Sequence, residues 1–391
     1  MEEALNVLDL MEAQGMEPEP SLICILLKSC AEAENLEFGK TIHSRIVGTD
    51  LEKDVYVVNN LINLYAKCGC LEIARNVFDE MSNRNEVTWT TMISIYNQRG
   101  FLDESLKLYS LMKLDSRVRP NAFTYSIALN SCAKLRNLKM GVEIHEDVVK
   151  DRCESDEFIV TALIDMYSKC GSIDSARRVF NKAGEPTIAA CTAMIDGYNN
   201  NNQAKEAMYL IRIILHSRLD MKMVRELGFV CMIRSCTMEA AYRQGQEIHA
   251  HIIKFGYDLG AQTCSTLVLL YEDCNKMVLA RRLFDKLVDK NERLWGQMIL
   301  GYVKNGMNSE ALKLYVEMVS EDVKPSSFAL SCALKACVGI LGLKEGMEIQ
   351  GRAVKVGCCL SDDSFVAALV MLYRQCKLPE EVQKITRIHK S

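Results

Sequence analysis

Apolar and polar residues alternate along this chain with a helical period that repeatedly stops and restarts. In Glu157–Thr187, Leu163, Met166, Tyr167 and Cys170 fall at i, i+3, i+4 and i+7, and after Gly171 a second stripe continues with Ile173, Ala176 and Phe180. The pattern predicts two short amphipathic helices folded back on one another. Gly171 is expected to end the first, Ser172 to cap the second, and Asp174 to complement the dipole of its first turn. A lone hairpin of this size cannot bury its own stripe, because short isolated helices are marginal in water. Stacking on similar neighbours solves that.

Such neighbours are present. The stretch Ala162–Phe180, ALIDMYSKCGSIDSARRVF, is written again at Asn60–Phe78 as NLINLYAKCGCLEIARNVF and at Thr266–Phe284 as TLVLLYEDCNKMVLARRLF, and a decayed copy begins at Ala368. The landmark tyrosines Tyr65, Tyr167, Tyr271 and Tyr373 are separated by 102, 104 and 102 residues, and Cys68, Cys170, Cys274 and Cys376 keep that spacing. A fixed period predicts an array of stacked hairpins without a domain boundary. Aligned on these landmarks, residues 1–19 form a partial repeat. The complete units are Pro20–Asp54, Val55–Asn85, Glu86–Asn121, Ala122–Asp156, Glu157–Thr187, Ile188–Arg225, Glu226–Gly260, Ala261–Asn291, Glu292–Ser326 and Ser327–Asp362. A truncated unit, Asp363–Ser391, follows. Their lengths run 35, 31, 36, 35, 31, 38, 35, 31, 35 and 36, so the short class is constant. Pro18, Pro120 and Pro325 recur in phase at the close of a unit, where a proline breaks no helical hydrogen bond. The 38-residue unit is irregular around Leu219–Arg225, and its turn is Asn199–Asn202 in place of a glycine turn. A loosened repeat, able to bend, is expected there.

Composition narrows the reading. Seventeen cysteines in a chain of 391 residues, without a secretory leader, point to reduced thiols, and Cys30, Cys132, Cys236 and Cys337 sit at repeat-equivalent places as small buried hydrophobes. No apolar run reaches the 18 or so residues of a membrane span. The net charge of −4 and pI near 6.0 argue against a strongly basic nucleic-acid surface over the whole molecule. Met1–Glu19 already reads as the second helix of a unit, with no Arg/Ser-rich transit segment ahead of it.

Three unit classes alternate: Val87–Met112 (VTWTTMISIYNQRGFLDESLKLYSLM) is one, Ala122–Lys150 (AFTYSIALNSCAKLRNLKMGVEIHEDVVK) the second and Glu157–Thr187 the short one. The pairs Ile42-His43, Ile144-His145 and Ile248-His249 recur with them. In these features the chain resembles the pentatricopeptide repeat family of land plants, in its mixed long-and-short subclass without a deaminase domain. The resemblance implies an all-α, right-handed superhelical solenoid of stacked antiparallel helical hairpins, whose first helices line a groove for single-stranded RNA, one unit to one base. Unstacked bases expose edges that side chains at a fixed rung can read.

The family reads each base with one residue early in the first helix and the last residue of the unit. Carried over, these are Asn59 with Asn85, Thr90 with Asn121, Ser126 with Asp156, Thr161 with Thr187, and Ser265 with Asn291. By the family's code Thr90/Asn121 and Ser265/Asn291 favour adenine and Asn59/Asn85 a pyrimidine, whereas Thr192/Arg225 and Gly296/Ser326 fit no letter. For each polar residue the alternative is a solvated helix face or an N-cap. Flanking the base are Tyr56, Val87, Phe123, Phe158 and Phe328, which otherwise would pack between hairpins; Gln262 and Arg293 depart from this pattern. Lys67, Lys134, Lys169 and Lys304 occupy the family's phosphate-contacting rung, although a lysine there also neutralises a helix C-terminus.

Catalytic motifs are missing from the sequence. A zinc deaminase needs His-x-Glu and a later Cys-x-x-Cys, and neither occurs. Cys68 and Cys70 lack a matching pair, Cys358 and Cys359 are adjacent, His249 and His251 point to different sides of a helix, and His43, His145 and His249 read as core or interface residues. No metal, cofactor, membrane or enzymatic role is expected. Two readings stay open. One is a monomeric RNA-binding adaptor of plastid or mitochondrion, guiding C-to-U editing by a separately supplied deaminase or serving splicing or transcript stabilisation. The other is a protein-binding scaffold of the tetratricopeptide kind.

Overall fold

Capping chemistry sets the phase of the fold. In the computed structural model all eleven unit starts, from Pro20 and Val55 to Asp363, coincide with the first residue of a helix. At eight of the eleven the residue before the start explains why. Asp54, Asn85, Asn121, Asp156, Thr187, Asn291, Ser326 and Asp362 each accept a backbone N–H from the second or third helical residue. Each such cap is worth about 1 kcal/mol over alanine. The last residue of a unit is thus the N-cap of the next.

The structure describes residues 8–390 apart from 9, 12, 15, 185, 186, 217–223, 225, 255, 257–259 and 357–361. Among the described residues the regular structure is helical, comprising 22 α-helices and one 3-10 turn at Asp50–Lys53. The chain divides into two compact units, Met1–Asn201 and Asn202–Ser391, and the division falls in the asparagine run Asn199–Asn202. Most of the irregular stretch Leu219–Arg225 lies outside the described residues. In the first unit the first helices pack in succession: Pro20–Glu32, Val55–Lys67, Glu86–Gln98, Ala122–Leu135, Glu157–Lys169 and Ile188–Asn200. In the second unit the series is Glu226–Met238, Ala261–Asp273, Glu292–Lys304, Ser327–Ile340 and Asp363–Gln375. Each unit is therefore a stack of antiparallel hairpins, the all-α solenoid architecture that the period predicts.

Each 31-residue unit is clamped by the long unit before it. Tyr65, Tyr167 and Tyr271 are buried, and their hydroxyls lie 2.7, 2.8 and 2.7 Å from Nδ1 of His43, His145 and His249 on the preceding second helix. In the decayed copy Gln350 Oε1 takes the same place against the Tyr373 hydroxyl. A glutamine oxygen can only accept, so in that copy the tyrosine donates. Burial pushes the three histidines below the usual imidazole value, which keeps the rings neutral and able to accept in the same way. The histidines are interface residues, as their spacing predicts, and the tyrosine is the partner that spacing did not supply.

Two turn details differ from the pattern. Ser172 stands at the N-cap, but its hydroxyl donates to Ser175 Oγ and caps no backbone amide. The helix-ending Gly69 and Gly171 have φ of +80° and +77°, whereas Asn275 and Lys377 occupy the equivalent turns with φ of +57° and +58°. A β-carbon in that region costs about 1 kcal/mol. Lys377→Gly should therefore raise the stability of the last hairpin by about 1 kcal/mol, read as a higher denaturation midpoint; an unchanged midpoint would mean that Lys377 is unstrained.

Candidate nucleic-acid interface

Position two of each first helix points away from the core. Tyr56, Val87, Phe123 and Phe158 are 72, 57, 61 and 75 % exposed, so they do not pack between hairpins. In the second unit Leu227 is exposed in the same place, a member of the row that the sequence reading did not name, and Gln262 and Arg293 are exposed polar replacements. Phe328 is the least exposed aromatic of the row, at 42 %. Its ring leans on Gly296, where an added β-carbon would lie 2.8 Å from Phe328 Cδ1.

Three residues further along each first helix lies the early reading position. Ser126, Thr161 and Ser265 donate their hydroxyls to the carbonyls of Ala122, Glu157 and Ala261, one turn back, which leaves the oxygen lone pairs to accept. Asn59 is half-buried, with its Oδ1 buried and unbonded. Thr90 is different. It is buried and exchanges a 2.7 Å hydrogen bond with Thr124 Oγ1 of the next unit.

The late reading positions are the caps. Asn85 Oδ1 accepts from Thr88 N and Oγ1, Asn121 Oδ1 from Thr124 N and Oγ1, Asn291 Oδ1 from Leu294 N, and Thr187 Oγ1 from Ala190 N. Asp156 uses one oxygen, Oδ1, for both Phe158 N and Ile159 N. In each asparagine the cap therefore pins the carbonyl inward and turns the amide NH2 away from the helix end. At Asn121 that NH2 donates to Glu86, at the start of its own unit. Arg225, the proposed partner of Thr192, lies outside the described residues.

The lysine rung is less available than the sequence suggests. Lys134 donates to Asn97 Oδ1 at 3.3 Å, Lys169 pairs with Asp165 at 2.8 Å, and Lys304 stands 3.6 Å from both Glu272 and Asp273. Lys67 has no such partner among the described residues. These lysines satisfy neighbouring side chains, a tertiary pairing that a reading of one rung alone does not reveal.

Among the described residues no group of three or more His, Cys, Asp or Glu side chains is placed to hold a metal ion, and no helix is long and apolar enough to cross a membrane. Cys358 and Cys359 fall outside the described residues. Cys30, Cys132, Cys236 and Cys337 are fully buried, and burial pushes their thiols up to about 11, about 12, about 12 and about 12.

Comparison with known proteins bears on the repeats and the fold. The PPR repeat profile matches residues 56–86, 123–153, 158–184, 189–218 and 293–323, and a PPR repeat family profile matches 84–134. A mitochondrial pentatricopeptide repeat-containing protein of Arabidopsis thaliana is 31% identical over 384 residues, 98% of this chain and 55% of its own length. A chloroplastic one from the same plant is 30% identical over 377 residues, 96% of this chain and 46% of its own. The chain thus spans about half the length of these relatives. The pentatricopeptide repeat protein PPR10, solved in complex with an 18-nt psaJ RNA element, shares the fold with a TM-score of 0.61 at 17% identity, covering 100% of this chain and 66% of that one. With repeat profiles in phase with its hairpins and relatives along nearly its whole length, the chain belongs to the pentatricopeptide repeat family.

Proposed function

We propose that this chain is a sequence-specific single-stranded RNA-binding adaptor of the mixed-length subclass, working in a plastid or mitochondrion. Its task is to guide C-to-U editing by a deaminase acting in trans, or to direct splicing or transcript stabilisation. The observation that carries the RNA-reading claim is the double use of the caps. An asparagine whose Oδ1 is held by a backbone amide offers N–H donors, which suit the ring-nitrogen acceptor on the Watson–Crick edge of adenine. An aspartate with one oxygen spent on the cap offers the other as an acceptor, which suits the N1–H of guanine. The hydroxyls of Ser126, Thr161 and Ser265, committed as donors to their own helix, present acceptors beside them. Exposed Tyr56, Phe123 and Phe158 supply faces on which bases can stack. A protein-binding scaffold has no need for a polar cap and an exposed ring in phase on successive units.

The decisive measurement is a base-preference profile from a randomised RNA pool, repeated with Asn291→Asp. Asn291 is chosen over Asn121 because Asn121 must first leave Glu86. One position should move from adenine towards guanine by roughly tenfold, the value of one good base-edge contact. Identical profiles for the two proteins would end the base-reading claim, and failure of both to bind RNA at moderate salt would favour the scaffold.

A further inference from the structure

The second unit contains a carboxylate that the reading above does not use. Glu272, the penultimate residue of the helix Ala261–Asp273, is 2 % exposed, and neither of its oxygens accepts a hydrogen bond. It is pressed against the next first helix, where a β-carbon on Gly301 would lie 2.5 Å from Glu272 Cγ. From that helix Lys304 brings its Nζ to 3.6 Å from Glu272 Oε1 and equally close to Asp273 Oδ1. A buried, unbonded carboxylate is costly and persists here only beside that cation.

Other copies of this place set the contrast. In the first unit the residue before the rung is Ala66, Asn97, Ala133, Ser168 or Asn199, never an acid. Asn97 touches Lys134 with a neutral amide, which orients the ammonium and leaves its charge uncancelled. The second unit instead writes Glu-Asp where the first writes Ala-Lys and Ser-Lys: YEDC against YAKC and YSKC.

We infer, resting on the RNA-binding reading, that Glu272 is a positioning residue that withholds Lys304 from the RNA backbone, so that RNA affinity through the second unit rises when Glu272 is protonated. The charged groups acting on Glu272 are Lys304 from the packed helix Glu292–Lys304 and Asp273 from its own helix, and the Cys332 thiol of Ser327–Ile340 lies within electrostatic reach. Glu226–Met238, Tyr242–Lys254 and Met277–Lys286, which also pack on this helix, bring no further charge to bear on Glu272 among the described residues. Burial pushes the carboxyl up to about 7, with Lys304 pulling the other way. Glu272 is therefore charged on the alkaline side of that value and neutral on the acid side. Neutral Glu272 leaves Lys304 held only by Asp273, which is solvent-exposed and screened.

The test measures binding of a mixed-sequence single-stranded RNA of about 20 nucleotides at about pH 6 and about pH 8, for wild type, Glu272→Gln, Asp273→Asn and Lys304→Ala. All carry the same histidines, so differences between their profiles report on this cluster. Wild type should lose about fivefold more affinity than Glu272→Gln on going alkaline, the scale of one charge a few ångströms from a phosphate at the protein surface. Asp273→Asn should bind more tightly at both pH values while keeping the wild-type slope, and Lys304→Ala should be weaker at about pH 6 and lose the extra slope. Because Asp273 and Lys304 are surface residues, those two variants keep the test sharp should Glu272→Gln fold poorly. Parallel profiles for wild type and Lys304→Ala, with RNA still bound, overturn this inference alone. Absence of RNA binding by every protein at both values overturns the RNA reading itself, and this inference with it.

Discussion

Replacing Phe123 and Phe158 together by alanine is expected to weaken binding of single-stranded RNA by roughly a hundredfold, with little change in thermal stability. Each ring stands largely in solvent, at 61 and 75 % exposure, so the fold gains little from it and alanine is a good helix former. A base stacked on an aromatic face contributes roughly 1–3 kcal/mol, so two such sites, if their contributions add, give about that hundredfold. Filter binding or fluorescence anisotropy, paired with circular dichroism melts, reads both quantities. The base profile should keep its preferences while the affinity falls, because the caps that carry specificity are untouched. Loss of stability with unchanged affinity would assign the rings to packing after all, and the interface would then have to lie elsewhere.

That prediction rests on a feature only half visible in the amino-acid order. The starts of the first helices could be read directly, because the apolar spacing and the fixed 31-residue unit point to the same boundaries and at most of them a capping residue does too. The exposure of the ring row could not, since an aromatic at position two of a helix serves equally well between hairpins. Leu227 follows a unit start that was legible at Glu226, but nothing in an aliphatic residue at that place marks it as exposed. The lysine rung was misleading for a different reason. Lys169 and Lys304 lie where the period puts them, but their charges are spent on Asp165 and on Glu272 with Asp273, pairings set by which residues neighbouring helices happen to carry. Thr90 shows the same limit, because its hydroxyl is engaged by a threonine 34 residues away, a contact that exists only once the hairpins are stacked.

Gly39→Val is expected to destabilise the first unit by about 3 kcal/mol, the upper range for overpacking a closed interface. Gly39 lies on the second helix of a long unit, four residues before His43, and a β-carbon there would sit 2.3 Å from Leu64 Cδ2. Leu64 is branched and fully buried, with little free space to turn into, so the helix Leu36–Ile46 is expected to lift, drawing His43 away from the Tyr65 hydroxyl. Gly141 makes the same approach in the equivalent unit Ala122–Asp156 but meets the thioether of Met166, at 2.4 Å from Sδ. An unbranched side chain can turn aside, so Gly141→Val should cost about half as much. Stability in a stack of hairpins is approximately a sum of nearest-neighbour terms. Amide exchange should therefore accelerate in Leu36–Ile46 for the first variant and in Leu138–Lys150 for the second, leaving the other junction protected. Equal costs for the two, or loss of protection spread evenly through both junctions, would mean that the glycines are not the points of closest contact and that the stack does not divide its stability in this way.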